Sequence, residues 1–486
     1  MKKATFAVNN SGMNMKKSFS IAILTALTAA GCSTGNPHSD NQNLKPRLVV
    51  LTDIGPADVE PDDNESAVRL MCYADRFEIE AICTTVGYNC DPYPSEWADY
   101  LDNVVEAYKL DMENLMRRSK QKEFLPEELE QNQPQELGYW PSAEYLSSRC
   151  LMGSQRAGIG VVGQGNDSPG SDFLIKLALE DDPRPIWVTA WGSANTLAQA
   201  IWRYKQTATP AELKKFVNKF RVYTITDQDM IWAMRENLDY SSHMWMRQEF
   251  KDDLFFIWDE SAWKNHNSLG VSNWPKHEEL IQSMGYLGYV YPHYLWGVEG
   301  DTPSFLHIMP NGLNDPEDPT QAGWGGYHTY GISPDQRTYA WTNWQQPELD
   351  ASSHYEHMFY MDSFNDFAAR MEWAQKGAGN RNPIAVVNGI SGLSQIHIKA
   401  KAGEPLEISA KGSADPDGDI ITYTWIQQVE AGTYNKPITI ENENSATPGI
   451  VIPSDAKGKT IHLILAIRDR GAISLAAYRR IIVTVK

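Results

Sequence analysis

The sequence predicts an α/β domain with a largely parallel sheet flanked by helices, followed by an all-β, immunoglobulin-like sandwich. In residues 47–380, short apolar runs rich in β-branched residues alternate with stretches of helical period, which is typical of βαβ units. In residues 381–486, short runs of alternating polarity are separated by turn residues, as in a β-sandwich. With 486 residues, the chain has ample length for a large core and a second, smaller domain.

The amino terminus reads as an export signal. Met15, Lys16 and Lys17 precede an apolar run, so residues 1–31 are expected to be a signal peptide, with Met15 as an alternative start. The small residues before Cys32 resemble a bacterial lipobox, which predicts a lipid on Cys32 and a tether over residues 32–46. The apolar run is too short to span a membrane, so membrane contact is expected only through the lipid. The protein is then a periplasmic or surface lipoprotein, or a secreted protein if Cys32 is not lipidated.

The first predicted strand starts near Arg47, and residues 48–51 form a continuous apolar run, which indicates burial on both faces. Asp53 follows its carboxyl end, and helical spacing begins at Ser66. The remaining strands and helices of this domain follow in alternation. Strands are predicted over residues 80–86, 158–162, 186–191 and 220–226, and helices over residues 97–108, 172–179 and 194–204.

In the second domain, residues 406–410, 422–427, 461–469 and 479–486 have the pattern of strands. The Asp/Gly-rich turn at residues 415–419 leads into a strand with Tyr423 and Trp425 on one face, and it resembles PKD and cadherin-like modules. Its carboxylates are suited to Ca²⁺, although a tight turn explains them more simply.

The formal charge of −19 and the pI near 5.0 argue against a nucleic-acid partner, because phosphate binding needs a basic surface. Sixteen Trp and 22 Tyr are many for this length, and such rings stack on sugars, although most aromatic residues belong to the core. Four cysteines follow Cys32, of which Cys83 and Cys90 are nearest in sequence. Free buried thiols are the favoured interpretation, and the lack of a CxxC motif argues against zinc.

Five carboxylates fall within eleven residues: Asp53, Asp58, Glu60, Asp62 and Asp63. Such charges repel one another, and a hard cation such as Ca²⁺, which takes six to eight oxygen ligands, relieves the repulsion. Ligands also collect at the carboxyl ends of strands in parallel α/β sheets. The alternative is a solvated acidic loop whose side chains cap the following helix.

Three further segments, at residues 187–201, 222–229 and 299–319, complete a pattern with the acidic run. In this order they resemble a secreted bacterial nucleoside-hydrolase-like family whose members are often labelled cellulose-binding. The resemblance covers residues 47–486. It implies a Ca²⁺ site formed by Asp53, Asp62, Asp63, Asp301 and the backbone carbonyl of Trp191. Thr52, where a further Asp is expected nearby, and the insertion Pro56–Pro61 depart from the family pattern.

The resemblance implies hydrolysis of a glycosyl bond, N-ribosyl or that of a related sugar, with metal-bound water attacking the anomeric carbon and Asp53 as the base. The ligand is then a small sugar or nucleoside-like molecule. The alternative is a non-catalytic envelope lipoprotein that binds cellulose or another polysaccharide. Sugar contacts are expected from Asp227, Gln228, Asp229, Glu299, Asn311 and Asn314.

Three histidines, His293, His307 and His328, lie among aromatic residues that are able to wall a pocket, but a structural role is the simpler interpretation. The sequence has no P-loop or HExxH motif, and its one G-x-S-x-G match, at residues 31–35, lies at the junction of the predicted signal peptide and tether. Serine-hydrolase, nucleoside-triphosphatase and zinc-protease functions therefore lack their signatures.

Overall fold

The structure is a computed structural model that describes residues 43–231 and 237–486. The predicted signal peptide, the lipidation site Cys32 and nearly all of the predicted tether lie outside the described residues. Within them, no helix is long and apolar enough to cross a membrane.

Eight strands form one sheet in the order β3-β2-β1-β4-β5-β6-β8-β7. All neighbouring strands are parallel except the hairpin of β7 and β8, so the predicted, largely parallel sheet is confirmed. The strands are β1 Arg47–Thr52, β2 Glu78–Thr84, β3 Cys150–Met152, β4 Ile186–Ala190, β5 Phe220–Ile225, β6 Phe255–Asp259, β7 Thr329–Ile332 and β8 Tyr339–Thr342.

Helices cover both faces of this sheet, which is why residues 48–51 of β1 are apolar without alternation. Leu48 and Val50 face one core, whereas Val49 and Leu51 face the other. The helices are α1 Pro61–Cys72, α2 Ala98–Ser119, α3 Glu127–Asn132, α4 Ala143–Ser148, α5 Pro169–Ala178, α6 Asn195–Lys205, α7 Pro210–Val217, α8 Ser242–Glu249, α9 Ala262–Ser272, α10 Trp274–His277, α11 Gly285–Val290, α12 Thr302–Leu306 and α13 Glu348–Lys376.

Most of the predicted elements lie within a few residues of the observed ones, with two clear differences. The predicted strand at residues 158–162 is wrong, because Ile159–Val161 form a 3₁₀ turn after Gly158, whose φ is +90°. Helix α2 is longer than predicted, since Met112 and Leu115 continue its buried face.

The carboxyl-terminal domain is all-β, as predicted. A four-stranded sheet has the order β10-β13-β14-β9, and β11 pairs with β12. These strands are β9 Ile396–Ala400, β10 Thr422–Gln428, β11 Ile440–Glu441, β12 Gly449–Ile450, β13 Thr460–Arg468 and β14 Ala476–Val485. The predicted strand at residues 406–410 is not regular, although the Leu406 amide donates to the Ile450 carbonyl at 2.8 Å.

The two domains share a core. Ile464 and Tyr478 of the carboxyl-terminal sheet belong to the same buried apolar cluster as Leu48 and Val50 of β1. The Arg468 guanidinium also makes a two-pronged ion pair with Asp362 of α13, at 2.6 and 2.7 Å. Tyr478 donates to the same carboxylate at 2.5 Å. The described chain is accordingly one compact unit.

The four cysteines of the described residues, Cys72, Cys83, Cys90 and Cys150, are free thiols. Three are buried and Cys150 is partly buried. This agrees with the expectation of free thiols over a bond between Cys83 and Cys90.

Candidate active site

The acidic site begins at Asp53, the first residue after β1. Its side chain is 1% exposed and lies between glycines that follow the two neighbouring strands β2 and β4. A Cβ added to Gly87 would lie 1.6 Å from Asp53 Oδ2, and one added to Gly192 would lie 2.7 Å from Oδ1. Only glycine therefore lets these two loops close on the carboxylate. Neither Asp53 oxygen has a hydrogen-bond partner among the described residues.

The first turn of α1 brings Asp62 and Asp63 to the same place. The Thr52 hydroxyl donates to Asp63, and the same oxygen accepts from the Ile54 amide at 3.0 Å. The hydroxyl of Thr52 therefore holds Asp63 in place. The family pattern led us to expect a further Asp near Thr52 itself. Asp62 keeps some solvent exposure, but its Oδ1 is buried and has no partner in the described chain.

Asp301 reaches the cluster from the turn before α12. It is 2% exposed, and the described residues offer its Oδ2 no hydrogen-bond donor. Burial raises its pKa well above the ordinary value, and the charges of Asp63, Asp62 and Asp53 raise it further. The structure thus joins residues that are widely separated in the sequence.

Trp191 is tied to the same turn by its side chain. Its indole Nε1 donates to Ser304 Oγ at 2.9 Å, and Ser304 Oγ donates to the Asp301 carbonyl at 2.6 Å. The Trp191 carbonyl accepts from the Gln228 side-chain amide. Of the predicted sugar contacts, Gln228 is thus the one that touches a predicted metal ligand.

Glu60 is the acid that sequence reasoning left out of the site. The ligand oxygens of Glu60, Asp62 and Asp63 all lie within 4.8 Å of one another. Glu60 Oε1 also accepts from Asn89 Nδ2 at 2.8 Å. The sequence contained a signal for Glu60, because this residue stands in the acidic run. The direction in which its side chain points depends on the fold.

The electrostatics of the site favour a bound cation. Burial and the neighbouring charge of Asp62 raise the pKa of Asp53 to about 7. Burial, followed by neighbouring acids, raises the pKa values of Glu60 and Asp63 well above their ordinary values, and burial raises that of Asp62. Unpartnered, buried carboxylate oxygens are hard ligands of the kind that Ca²⁺ takes, so the donor set fits this ion.

Glu299 lies two residues before Asp301 and is held by protein donors, so direct sugar contact by Glu299 stays a prediction. It is fully buried, and its Oε2 accepts from Arg69 of α1 at 2.5 Å and lies 3.2 Å from His266 Nε2. Burial opposes its charge, yet Arg69 and His266 hold the pKa of Glu299 below the ordinary value. This ion pair joins the helix that carries Asp62 to the turn that carries Asp301, which is a positioning role.

Asp227 and Asp229 are also engaged by protein donors. Asp227 Oδ2 accepts from the Ser241 hydroxyl at 2.7 Å, and Asp227 Oδ1 lies 3.2 Å from His243 Nδ1. Asp229 accepts from Ser193 Oγ at 2.7 Å. Their contacts hold the turn after β4 against the end of β5. Direct sugar contact by these two residues stays a prediction, and one that their occupied oxygens do not favour.

The contacts of Asn311 and Asn314 lie away from the acidic cluster, close to the domain interface. Asn314 Nδ2 donates to the His307 carbonyl at 2.9 Å, and Asn311 Oδ1 accepts from the Leu313 amide at 3.0 Å. Arg480 of β14 donates to the Leu313 carbonyl at 2.5 Å. The loop with both asparagines therefore packs on the carboxyl-terminal sheet, and sugar binding by them also stays a prediction.

The three histidines have structural surroundings. His307 and His328 are fully buried, and His328 Nε2 lies 3.3 Å from Asp259 Oδ1. His293 is exposed, and its ring contacts the Tyr294 carbonyl. Within the described residues, none of the three histidines contacts a carboxylate of the acidic cluster formed by Asp53, Glu60, Asp62, Asp63 and Asp301.

Two tryptophans flank the acidic loop. A Cβ on Gly55 would lie 2.5 Å from the ring of Trp97, so this ring packs directly on the loop backbone. Trp296 is 71% exposed, and its Nε1 donates to the Val59 carbonyl at 3.4 Å. Exposed rings beside a polar site are suited to stacking on a sugar. The role of Trp97 had no signal in the sequence pattern.

Two family models match the chain. The model described as cellulose-binding Sde182, nucleoside hydrolase-like domain, matches residues 47–328, and the model described as cellulose-binding protein Sde0182, C-terminal domain, matches residues 405–485. No curated protein sequence matches the chain.

Among solved structures, one is described as a nucleoside hydrolase-related hypothetical protein from Saccharophagus degradans that is associated with carbohydrate metabolism. It is 33% identical, covers 91% of this chain and 100% of its own, and has a TM-score of 0.75. Mouse cadherin-23 EC22-24 is 14% identical over 22% of this chain and 33% of its own, with a TM-score of 0.17. Protocadherin gamma B2 extracellular cadherin domains 1-5 are 17% identical over 21% of this chain and 20% of their own, with a TM-score of 0.17. The two cadherin scores are too low to support an inference.

Proposed function

The chain belongs to the family of cellulose-binding Sde182 proteins, which carry a nucleoside hydrolase-like domain, and from this we propose that it is a Ca²⁺-dependent hydrolase of a glycosyl bond. The bond is an N-ribosyl bond or that of a related sugar. The observation that supports this most is the buried Asp53 carboxylate. Its two oxygens have no hydrogen-bond partner within residues 43–231 and 237–486, and they lie in a cluster of further acids.

Asp53, Asp62, Asp63, Asp301 and the Trp191 carbonyl are the groups that would hold the ion. Bound Ca²⁺ would orient sugar hydroxyls and lower the pKa of water in the site. Asp53 is our choice for the general base, because its buried carboxylate stands at the carboxyl end of β1 within the acidic cluster, beside any water that the ion would hold. The surrounding carboxylates would stabilise the positive charge that develops on the sugar as its glycosyl bond breaks.

The test is hydrolysis of nucleosides, aryl glycosides and cello-oligosaccharides, measured with Ca²⁺ and with chelator. We expect turnover to need Ca²⁺ and to fall by about 10²-fold or more in Asp53→Asn. The matched control is Asp58→Asn, which removes an exposed charge from the same loop and should leave turnover unchanged. Hydrolysis that survives both chelation and Asp53→Asn would contradict the proposal.

A second function is favoured by the exposed ring of Trp296 beside the site, together with the cellulose-binding description of the family. In this case the chain binds a polysaccharide without cleaving it. Sedimentation with insoluble cellulose, with xylan as a comparison, tests this for the unchanged protein and for Trp296→Ala. The full chain should be used, because the carboxyl-terminal sheet shares its core with the first domain.

We also infer that the protein is exported and held at the membrane by a lipid on Cys32, which the amino-terminal sequence supports. The substitution Cys32→Ser should move the protein from the membrane fraction to the soluble fraction of the producing cells. An unchanged distribution would contradict lipid anchoring and leave the hydrolase proposal untouched.

A further inference from the structure

The insertion Pro56–Pro61 has a defined conformation. The amides of Val59 and Glu60 both donate to the Pro56 carbonyl, at 2.8 and 2.9 Å. The Asn64 side chain, one turn into α1, donates to the carbonyls of Gly55 at 2.8 Å and Glu60 at 2.9 Å. A single amide thus holds both ends of the insertion, and the loop returns to α1 in a fixed arrangement.

This turn sends its two acids in opposite directions. Asp58 is exposed to solvent, whereas Glu60 is only 7% exposed and its carboxylate faces Asp62 and Asp63. Asn89, from the loop after β2, donates to Glu60 at 2.8 Å and holds the carboxylate in this orientation. The insertion therefore adds an acid to the site.

Burying one more carboxylate among others is unfavourable unless a positive charge compensates it. No lysine, arginine or histidine of the described residues forms an ion pair with Glu60, and the nearby Arg69 is already paired with Glu299. The unpartnered oxygens of Asp53, Asp62 and Asp301 lie in the same cluster. The missing compensation points to a cation that Glu60 itself would contact.

We propose that Glu60 is an additional carboxylate ligand of the cation, which makes the site selective for Ca²⁺ over Mg²⁺. This inference rests on the proposed Ca²⁺ site. With Glu60, six residues of the chain offer oxygen ligands, which suits the six to eight ligands of Ca²⁺. Mg²⁺ demands a tight octahedron and keeps several waters, so a site crowded with protein oxygens disfavours it.

The test is calorimetric titration of the full chain with Ca²⁺ and with Mg²⁺, for the unchanged protein, Glu60→Gln and Asp58→Asn. We expect Glu60→Gln to weaken Ca²⁺ binding by about tenfold or more, since even the loss of an outer-shell partner costs about 10- to 100-fold. We expect a smaller preference for Ca²⁺ over Mg²⁺ in this variant. Asp58→Asn should change neither quantity by more than about twofold, because its charge is exposed and screened.

Equal losses in Glu60→Gln and Asp58→Asn would overturn the inference, because the effect would then come from net charge. Unchanged binding in Glu60→Gln, with binding lost in Asp53→Asn, would overturn it and leave the proposed function standing. Absence of Ca²⁺ binding by the unchanged protein would overturn both. If Glu60→Gln does not fold, Glu60→Asp decides the matter, since it keeps the charge but draws the carboxylate back by one methylene and should also weaken binding.

Discussion

Replacing Asp53 with asparagine should change how the stability of the metal-free protein depends on pH. The pKa of Asp53 is raised from 3.8 to about 7 in the folded protein, mainly by burial and then by Asp62. In the unfolded chain this carboxyl is solvated and titrates near its ordinary value. The folded state therefore binds the proton more tightly, and Asp53 contributes stability at low pH that is lost as the pH rises through about 7.

The expected size follows from the window between pH 5 and pH 8. At pH 5 the folded protein keeps the proton on Asp53 and the unfolded chain has largely lost it, whereas at pH 8 neither keeps it. The folded state holds one more proton than the unfolded chain from pH 5 up to about pH 7, which is about two pH units. Each such unit changes the free energy of unfolding by about 1.4 kcal/mol. The free energy of unfolding of the unchanged protein should thus fall by about 3 kcal/mol relative to that of Asp53→Asn.

The assay is urea denaturation in chelator at pH 5 and pH 8, for the unchanged protein and for Asp53→Asn, whose amide does not titrate. Ionisable groups far from Asp53 are common to both proteins and cancel in the comparison. The charge of Asp53 raises the pKa values of Glu60, Asp63 and Asp301, so its removal lowers them and adds to the difference. Saturating Ca²⁺ should remove the loss at pH 8, because the ion replaces the proton as the compensating charge. If the two proteins respond equally to pH in chelator, the description of Asp53 as a buried acid without a partner is wrong.

Three further outcomes are expected. Gly87→Ala should abolish Ca²⁺ binding in calorimetry, because its Cβ would lie 1.6 Å from an Asp53 oxygen, whereas Gly160→Ala, which meets nothing within 4 Å, should bind normally. Arg69→Met removes the guanidinium that pairs with the buried Glu299 carboxylate, so the free energy of unfolding should fall by about 3–5 kcal/mol in urea titrations. Deleting residues 381–486 uncovers part of the shared core, so gel filtration should show aggregates; a monomer that still binds Ca²⁺ would contradict the shared-core description.

The sequence was sufficient for the sheet because its strands are buried on both faces and read as continuous apolar runs, as in β1. It also singled out Asp53 as the acid after the first strand, whereas Asp301 came only from the family resemblance of residues 299–319. The strand expected at residues 158–162 failed because Gly158 takes a positive φ that hydrophobicity does not reveal. Helical period alone likewise underestimated α2, whose buried face continues beyond residue 108.

Side-chain partners distant in sequence could not be predicted. Glu299 looked available to a sugar, but Arg69 occupies it from 230 residues away. Asp229 looked equally available, yet Ser193 and the backbone of Ser242 occupy its oxygens. Local sequence shows which residues stand at the end of a strand. The hydrogen-bond partners of their side chains come from helices and loops distant in sequence, which local sequence does not reveal. The inward orientation of the Glu60 side chain could not be predicted either, because it depends on a hydrogen bond from Asn89.

The shared core has a consequence for the order in which the protein can fold. Chains are made from the amino terminus, so β1 and α1 exist long before Ile464 and Tyr478, which cover part of the same apolar cluster. Until these last strands are available, that surface stays exposed and prone to association. The first domain can therefore complete its core only after the end of the chain has been made, and until then it needs protection from aggregation.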